Sequence, residues 1–193
     1  MTTTAERFWT IPNILSIYRI IIFPFVLWLI FSGNENLFAV FITISLVTDF
    51  LDGFIARTFK METKIGAKLD SWADFGTYIL AFIAIALFKW QEIKPHGVML
   101  YCFACVMAVS YIAVFIKFKG LIGLHTYLFK ITGYVQGAFI ITLFLWGFYL
   151  LPYYFCLACG ILACIEEIII ILILRQPRMN VKGLYWVLKN KTY

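Results

Sequence analysis

The sequence has little charge and lacks the polar linkers that divide multidomain proteins. Charged residues make up 13% of its 193 residues, whereas soluble globular chains carry about 25%. There is no Gly-rich or Ser-rich linker and no run of like charges, so residues 1–193 are interpreted as a single domain. These absences exclude an ordinary soluble domain.

Long apolar segments are present instead. Hydrophobic residues make up 63% of the chain, and a helix needs about 20 apolar residues to cross a bilayer. The sequence therefore predicts an all-α, polytopic membrane protein with six transmembrane helices. The six segments are Ile11–Phe31, Leu37–Ala56, Ile65–Phe88, Val98–Ile116, Leu128–Leu150 and Tyr153–Leu174. The first is expected to be a retained helix rather than a cleaved signal peptide. Turns are predicted at 32–34, at 94–97 and at Pro152, which precedes the sixth segment.

Basic residues are distributed unequally between the two predicted sides of the membrane. Only Lys89 and Lys94 fall on one side. The other side has Arg7, Arg57, Lys60, Lys64, Lys68, Lys117, Lys119, Lys130, Arg175, Arg178, Lys182, Lys189 and Lys191. The positive-inside rule then predicts that both termini are cytoplasmic. The net charge of +6 is attributed to orientation and anionic lipids, and no nucleic-acid partner is expected.

The C-terminal tail and the cysteines each allow two interpretations. The basic and aromatic tail from Arg175 to Tyr193 predicts a short interfacial helix, the alternative being a disordered basic tail. Two C-x-x-C pairs, Cys102/Cys105 and Cys156/Cys159, have the spacing of zinc ligands. Because both pairs lie in apolar helices, packing is the preferred interpretation.

Four aspartates interrupt the second and third apolar segments. Asp49 and Asp52 are three residues apart, and Asp70 and Asp74 are four apart, so each pair shares a helix face. The short polar link from Thr58 to Lys64 predicts that the two helices are antiparallel neighbours whose aspartates meet. An aspartate at the centre of a membrane helix costs on the order of 3 kcal/mol, so the four carboxylates need compensation.

Divalent cations are the expected compensation. Oxygen ligands without His or Cys favour Mg²⁺ or Mn²⁺, and two ions bridged by carboxylates suit a displacement at phosphorus. The alternative is that Lys or Arg partners hold the aspartates. It is rejected here because only Arg57 and Lys68 lie nearby in the sequence.

Neighbouring residues fit phosphate binding. Gly53 and Gly66 allow close backbone approach, and Ala56 keeps its helix face narrow. Arg57 supplies a bidentate donor for a diphosphate, and Thr63 offers a hydroxyl just before the third helix.

The spacing of these residues resembles the signature of the CDP-alcohol phosphatidyltransferase family (class I), integral membrane phospholipid synthases. The matching pattern is Asp49-x-x-Asp52-Gly53-x-x-Ala56-Arg57, eight residues, then Gly66-x-x-x-Asp70-x-x-x-Asp74. The segment from Pro12 to Ser16, followed by Arg19, resembles the start of the family's first helix.

The resemblance implies a role for each matched position. Asp49 and Asp70 would bridge two metal ions, Asp52 would complete the first site, and Asp74 would complete the second and act as the catalytic base. The CDP-lipid would be held by Gly53, Ala56, Arg57, Thr63 and Gly66, with Asn13 and Ser16 from the first helix. The implied reaction transfers a phosphatidyl group from CDP-diacylglycerol to a small alcohol and releases CMP, as in phospholipid biosynthesis. The implied location is a bacterial or archaeal-type cell membrane, with the active site facing the cytoplasm.

The acceptor is specified less closely. Family members that use glycerol phosphate or inositol phosphate tend to carry Lys or Arg after the last aspartate, where this chain has Phe75. This departure favours a non-phosphorylated alcohol such as serine or inositol. Lys68, His125 and Lys130 are the candidate acceptor-binding residues, although an interfacial anchor explains the last two equally well.

Other interpretations remain at this stage. A small transporter or channel would use the aspartates as an ion path, and an inactive scaffold would keep only the fold. Glu166 and Glu167 lie inside the sixth segment, where one of them is expected to line the pocket or to meet a second copy in a homodimer.

Overall fold

A computed structural model describes residues 9–59, 61, 63–119, 126–174 and 181–189. All regular structure in these ranges is helical, which confirms the predicted all-α class. The helices are α1 (Ile11–Phe31), α2 (Glu35–Thr58), α3 (Lys64–Ala84), α4 (Trp90–Ile93), α5 (Gly97–Phe118), α6 (Tyr127–Leu145), α7 (Leu150–Ile173) and α8 (Leu184–Lys189).

The predicted spans agree with these helices, with local differences. The first span matches α1 at both ends. Residues 94–97, predicted as a turn, instead continue the helical backbone, because a π-helical turn at Ile85–Lys89 and a 3₁₀ turn at Lys94–His96 connect α3, α4 and α5. The helical run Ile65–Phe118 is therefore 54 residues long, and the described residues contain five helical stretches that are long and apolar enough to cross a membrane.

The fifth span was predicted to extend too far. It ends at Leu145 rather than Leu150, because Gly147 takes a left-handed conformation (φ 104°) that interrupts the helix. The sixth predicted span corresponds to α7. It begins at Leu150, before its predicted start at Tyr153, because Pro152 is tolerated within a first helical turn.

The chain divides into two compact units, Met1–Trp90 and Gln91–Tyr193, which are described separately. In the first unit, α1 packs along both α2 and α3. The prediction that the aspartates of α2 and α3 meet is confirmed, because carboxylate oxygens of Asp49, Asp70 and Asp74 lie within 4.8 Å of one another. The described parts of the two helices nevertheless have few close backbone contacts. Both helices pack on α1, whose side chains Val26, Leu29 and Ile30 are buried in the core of the unit.

Hydroxyl caps set the starts of α1 and α3. The side chain of Thr10 accepts a hydrogen bond from the backbone N–H of Asn13, and Thr63 accepts one from Gly66. Such caps satisfy donors that the first helical turn leaves free. The predicted turn between α1 and α2 is confirmed, with Gly33 in the left-handed conformation (φ 75°).

In the second unit, α7 packs against α5 and α6. An apolar cluster joins α5 and α7 to the C-terminal segment and contains Val114, Ile170, Ile171, Leu174, Val181 and Val187. Val187 belongs to α8, so this part of the predicted tail is a helix that packs against α7. Residues 175–180 and 190–193 of the tail lie outside the described residues.

Candidate active site

Arg19 of α1 lies among the four aspartates. Its Nη1 atom donates to Asp49 Oδ1 (2.5 Å) and to Asp74 Oδ1 (3.1 Å). Its Nη2 atom donates to Asp52 Oδ2 (2.9 Å) and to Asp70 Oδ1 (2.7 Å). One guanidinium therefore joins two carboxylates from α2 to two from α3.

This arrangement corrects the expectation that only Arg57 and Lys68 could supply positive charge near the aspartates. The expectation failed because Arg19 precedes the first aspartate by 30 residues and belongs to another helix. The signal was its place within an apolar helix, since an ionisable residue inside a membrane segment normally has a partner or a function. Arg19 also follows Asn13 and Ser16 at intervals of three, which places all three on one helix face.

The carboxylates differ in exposure. The side chain of Asp52 is 6% exposed and that of Arg19 is 2% exposed, while Asp49, Asp70 and Asp74 keep between 28% and 36% exposure. Asp52 also accepts a hydrogen bond from Ser16 Oγ (3.3 Å). The cluster thus has a buried end at Asp52 and a more open end formed by the other three aspartates.

The open end suits a divalent cation. One carboxylate oxygen from each of Asp49, Asp70 and Asp74 lies within 4.8 Å of the others. The donors are all oxygen, which Mg²⁺ and Mn²⁺ prefer. Four carboxylates against one guanidinium also leave a net formal charge of −3, which further cations would neutralise. The residues therefore fit the expected metals, with Asp49, Asp70 and Asp74 as ligands and Asp52 next to them.

A second group of predicted residues meets at the start of α3. Asn13 is buried and its Nδ2 atom lies 3.5 Å from Thr63 Oγ1, which caps the Gly66 N–H at 2.9 Å. A Cβ atom on Gly66 would lie 2.3 Å from Asn13 Oδ1 and 2.8 Å from Thr63 Oγ1. Gly66 is therefore needed for this approach, and Asn13, Thr63 and Gly66, predicted from separate segments, lie together.

The remaining donor-site candidates lie on α2. A Cβ atom on Gly53 would lie 3.7 Å from the Arg57 guanidinium, so Arg57 lies over the glycine four residues before it. Arg57 is exposed, and Ala56 is partly buried beside it. The 3.7 Å separation is an ordinary van der Waals distance, so the guanidinium does not by itself require a glycine at this position.

The three acceptor candidates lie in different parts of the chain. Lys68 is an exposed residue of α3, two residues before Asp70 and six before Asp74. Lys130 lies in α6 of the second unit. His125 lies outside the described residues.

Glu166 and Glu167 have hydrogen-bond partners within the second unit. Glu166 accepts from Thr126 Oγ1 (2.9 Å) and from the backbone N–H of Leu184 (3.0 Å), which ties α6 and α8 to α7. Glu167 is buried and accepts from Ser110 Oγ (2.6 Å). All five cysteines are free thiols, and the described residues place no group of three potential ligands around them.

Comparison with known proteins agrees with this geometry. The family model of the CDP-alcohol phosphatidyltransferases matches residues 9–174. No solved structure matches the chain.

Individual relatives match over shorter stretches. A CDP-diacylglycerol–glycerol-3-phosphate 3-phosphatidyltransferase of Cereibacter sphaeroides is 41% identical over 81 residues, covering 40% of this chain and 37% of the relative. The protein of that name from Aquifex aeolicus is 31% identical over 85 residues, covering 44% and 48%. A CMP-forming cardiolipin synthase of Rattus norvegicus is 35% identical over 85 residues, covering 44% and 28%. The matched part thus spans less than half the length of each of these relatives.

The family match extends from the cap of α1 to the end of α7 and includes Arg19, the four aspartates and the Asn13–Thr63–Gly66 group. The chain belongs to the CDP-alcohol phosphatidyltransferase family.

Proposed function

We propose that this protein transfers the phosphatidyl group of CDP-diacylglycerol to the hydroxyl of a small polar alcohol and releases CMP, a step of phospholipid biosynthesis. The observation that carries the proposal is the convergence of Asp49, Asp70 and Asp74 within 4.8 Å beside the Asn13–Thr63–Gly66 group. The first set suits a diphosphate with its counter-ions, and the second offers polar groups and open backbone for the rest of the donor.

In the proposed reaction the acceptor oxygen attacks the phosphorus atom that carries the diacylglycerol. A new P–O bond forms to the acceptor, and the P–O bond to CMP breaks, so CMP leaves with the bridging oxygen. Asp74 takes the proton of the acceptor hydroxyl. It lies at the open end of the cluster, with its side chain 33% exposed, where a substrate hydroxyl has access.

Chain residues hold the donor. Arg57 is exposed at the end of α2 and pairs with diphosphate oxygens through its planar fork. Thr63 and Asn13 present hydroxyl and amide groups at the start of α3, and Gly66 keeps the backbone accessible there. Ser16 orients Asp52 by donating to Oδ2.

Two Mg²⁺ or Mn²⁺ ions, held by Asp49, Asp52, Asp70 and Asp74, would supply Lewis-acid polarisation of the diphosphate and neutralise charge on departing CMP. This part of the proposal is supported by the oxygen-only ligand set and by the net negative charge of the cluster.

Three kinds of acceptor are supported by different observations. Phe75 follows the last aspartate where a cation would favour a phosphorylated acceptor, which supports serine or inositol. The names of the bacterial relatives support glycerol 3-phosphate, and the name of the rat relative indicates a cardiolipin product, which would suit phosphatidylglycerol as acceptor.

The central test measures CMP release by purified protein in detergent or nanodiscs, given CDP-diacylglycerol and an acceptor panel of serine, inositol, inositol phosphate, glycerol 3-phosphate and phosphatidylglycerol. We expect release with Mg²⁺ or Mn²⁺ and none with EDTA. Asp74→Asn should lower the rate at least ~100-fold, the usual contribution of a positioned base. Glu35→Gln, which removes a carboxylate paired with Lys89 in the same unit, is the matched control and should keep the rate.

The panel separates the acceptor classes by the product formed. Absence of CMP release with every acceptor would refute the enzymatic proposal. Metal-dependent ion flux into liposomes without CMP release would instead support a transport protein.

We also propose a location and an orientation for the protein in the membrane. The protein is integral to a bacterial or archaeal-type cell membrane, both termini are cytoplasmic, and the active site faces the cytoplasm. The segment around the loop between α2 and α3 carries Arg57, Lys60, Lys64 and Lys68 and lies next to the aspartates in the sequence, which supports this orientation. A homodimer is also proposed, and measurement of the mass of the detergent complex tests it.

A further inference from the structure

The guanidinium of Arg19 contacts four carboxylates, so one positive charge lies next to four negative charges. The guanidinium reaches Oδ1 of Asp49, Asp70 and Asp74 and Oδ2 of Asp52. It therefore contacts a single oxygen of each carboxylate.

The environment of Arg19 indicates that these contacts fix its position. Its side chain is 2% exposed, and within the described residues its Nε atom is a buried donor without a hydrogen-bond partner. Burying an unpaired donor costs free energy. The position of the side chain is therefore determined by its contacts with the aspartates and not by hydrogen bonding of Nε. The two Nη atoms, by contrast, each reach two aspartates.

Electrostatics explains what these contacts achieve. Carboxylates gathered in a membrane-embedded site repel one another, and the low effective dielectric makes this repulsion stronger than in water. The described parts of α2 and α3 have few close backbone contacts with each other, whereas each packs along α1. The helix that lies between them supplies the opposite charge at the point where the carboxylates meet.

We propose that Arg19 is the built-in counter-ion of the aspartate cluster, a positioning residue that keeps α2 and α3 together without depending on a bound metal ion. Its role in the reaction is to hold the four carboxylates ready for the divalent ions, so this part of the inference depends on the proposed function. The consequence is a thermodynamic coupling: a protein without Arg19 should depend on divalent cations for its stability, because these ions supply the missing positive charge.

The test compares melting temperatures in EDTA and in saturating Mn²⁺, measured on the purified full chain in detergent. Arg19→Gln should melt on the order of 5 °C below the parent in EDTA, and Mn²⁺ should restore at least half of this loss. Lys89→Gln is the matched control, because it removes a partly buried cation paired with Glu35 (2.9 Å) in the same unit. Its loss should be the same in EDTA and in Mn²⁺.

Two further variants guard against a protein that fails to fold. Arg19→Lys keeps the charge without the fork and should melt between the parent and Arg19→Gln. The double variant Arg19→Gln/Asp52→Asn removes one negative charge with the positive one and leaves the Asp49, Asp70 and Asp74 group intact. It should melt above Arg19→Gln in EDTA.

Either of two results would overturn the inference: an equal loss for Arg19→Gln in EDTA and in Mn²⁺ when Mn²⁺ raises the melting temperature of the parent, or a double variant no more stable than the single one. If Mn²⁺ has no effect on the parent or on Arg19→Gln, the metal part of the proposed function fails. The double variant alone then decides the role of Arg19. CMP release tests the reaction separately.

Discussion

Gly66 shows at the scale of one residue how a missing side chain shapes the site. The approach of Asn13 and Thr63 occupies the space where a Cβ atom would lie. Asn13 is 1% exposed, so it cannot move into solvent to make room. The position therefore links the first helix to the start of α3.

Gly66→Ala should raise the KM for CDP-diacylglycerol about tenfold, which corresponds to about 1.4 kcal/mol of lost binding, because Asn13 and Thr63 would be displaced. Steady-state CMP release at varied donor concentration measures the effect. The double variant Gly66→Ala/Asn13→Ala removes the closest clashing atom and should regain part of the stability that the single variant loses. A single variant with unchanged KM would show that this group does not contact the donor.

The sequence predicted that the aspartates would lie together but did not predict the contacts of Arg19 with them. The aspartates, Gly53, Arg57, Thr63 and Gly66 follow from spacing within two adjacent segments, because periodicity determines which residues share a helix face. The contacts of Arg19 could not be derived in this way, since they depend on how a third helix packs. A local pattern identifies the ligands of a site but not a partner that arrives by tertiary packing.

At the scale of the helices, Gly160 of the second unit allows neighbouring side chains to approach closely, as Gly66 does in the first unit. A Cβ atom there would lie 2.5 Å from Gln136 Nε2 and 2.5 Å from a ring carbon of Phe103. Both neighbours are buried, and the ring is rigid. The close packing of α5 and α6 on α7 thus depends on a glycine in the middle of α7.

Gly160→Ala should destabilise this packing by about 1–3 kcal/mol, the usual cost of overfilling a packed interior. Thermal unfolding in detergent measures the loss. Gly133→Ala is the matched control, because a Cβ at this helical glycine of α6 meets nothing within 4 Å. The control should be neutral or slightly stabilised, since alanine is the better helix former. Equal melting temperatures for the two variants would contradict the packing argument.

Helix identity was easier to predict than helix ends. Hydropathy alone located α1 and gave approximate bounds for the other long helices, because apolar length is what the membrane requires. The errors at 94–97 and at 145–150 have local causes. Lys94–His96 accepts a 3₁₀ turn despite its proline, and Gly147 breaks α6 despite apolar neighbours. Backbone conformations of this kind leave little trace in hydropathy.

For the whole molecule, the distribution of charge predicts a single orientation in the membrane. A fluorescent-protein fusion at the C-terminus, expressed in a Gram-negative bacterium, should fluoresce because it stays in the cytoplasm. Alkaline phosphatase inserted after Gly147, in the break between α6 and α7, should be active because that turn faces the periplasm. The reverse pattern would contradict the positive-inside prediction, and activity of both reporters at one site would indicate mixed orientation.

The position of Arg19 on α1 also bears on how the protein is made. Chains emerge from the ribosome N-terminus first, so α1 enters the membrane before the helices that carry Asp49, Asp52, Asp70 and Asp74. Each aspartate entering alone faces a cost on the order of 3 kcal/mol at the centre of a helix. The guanidinium that later contacts all four is by then already in the bilayer. The order of the helices along the chain thus delivers the positive charge ahead of the negative charges, so α2 and α3 have a partner to assemble on as each is inserted.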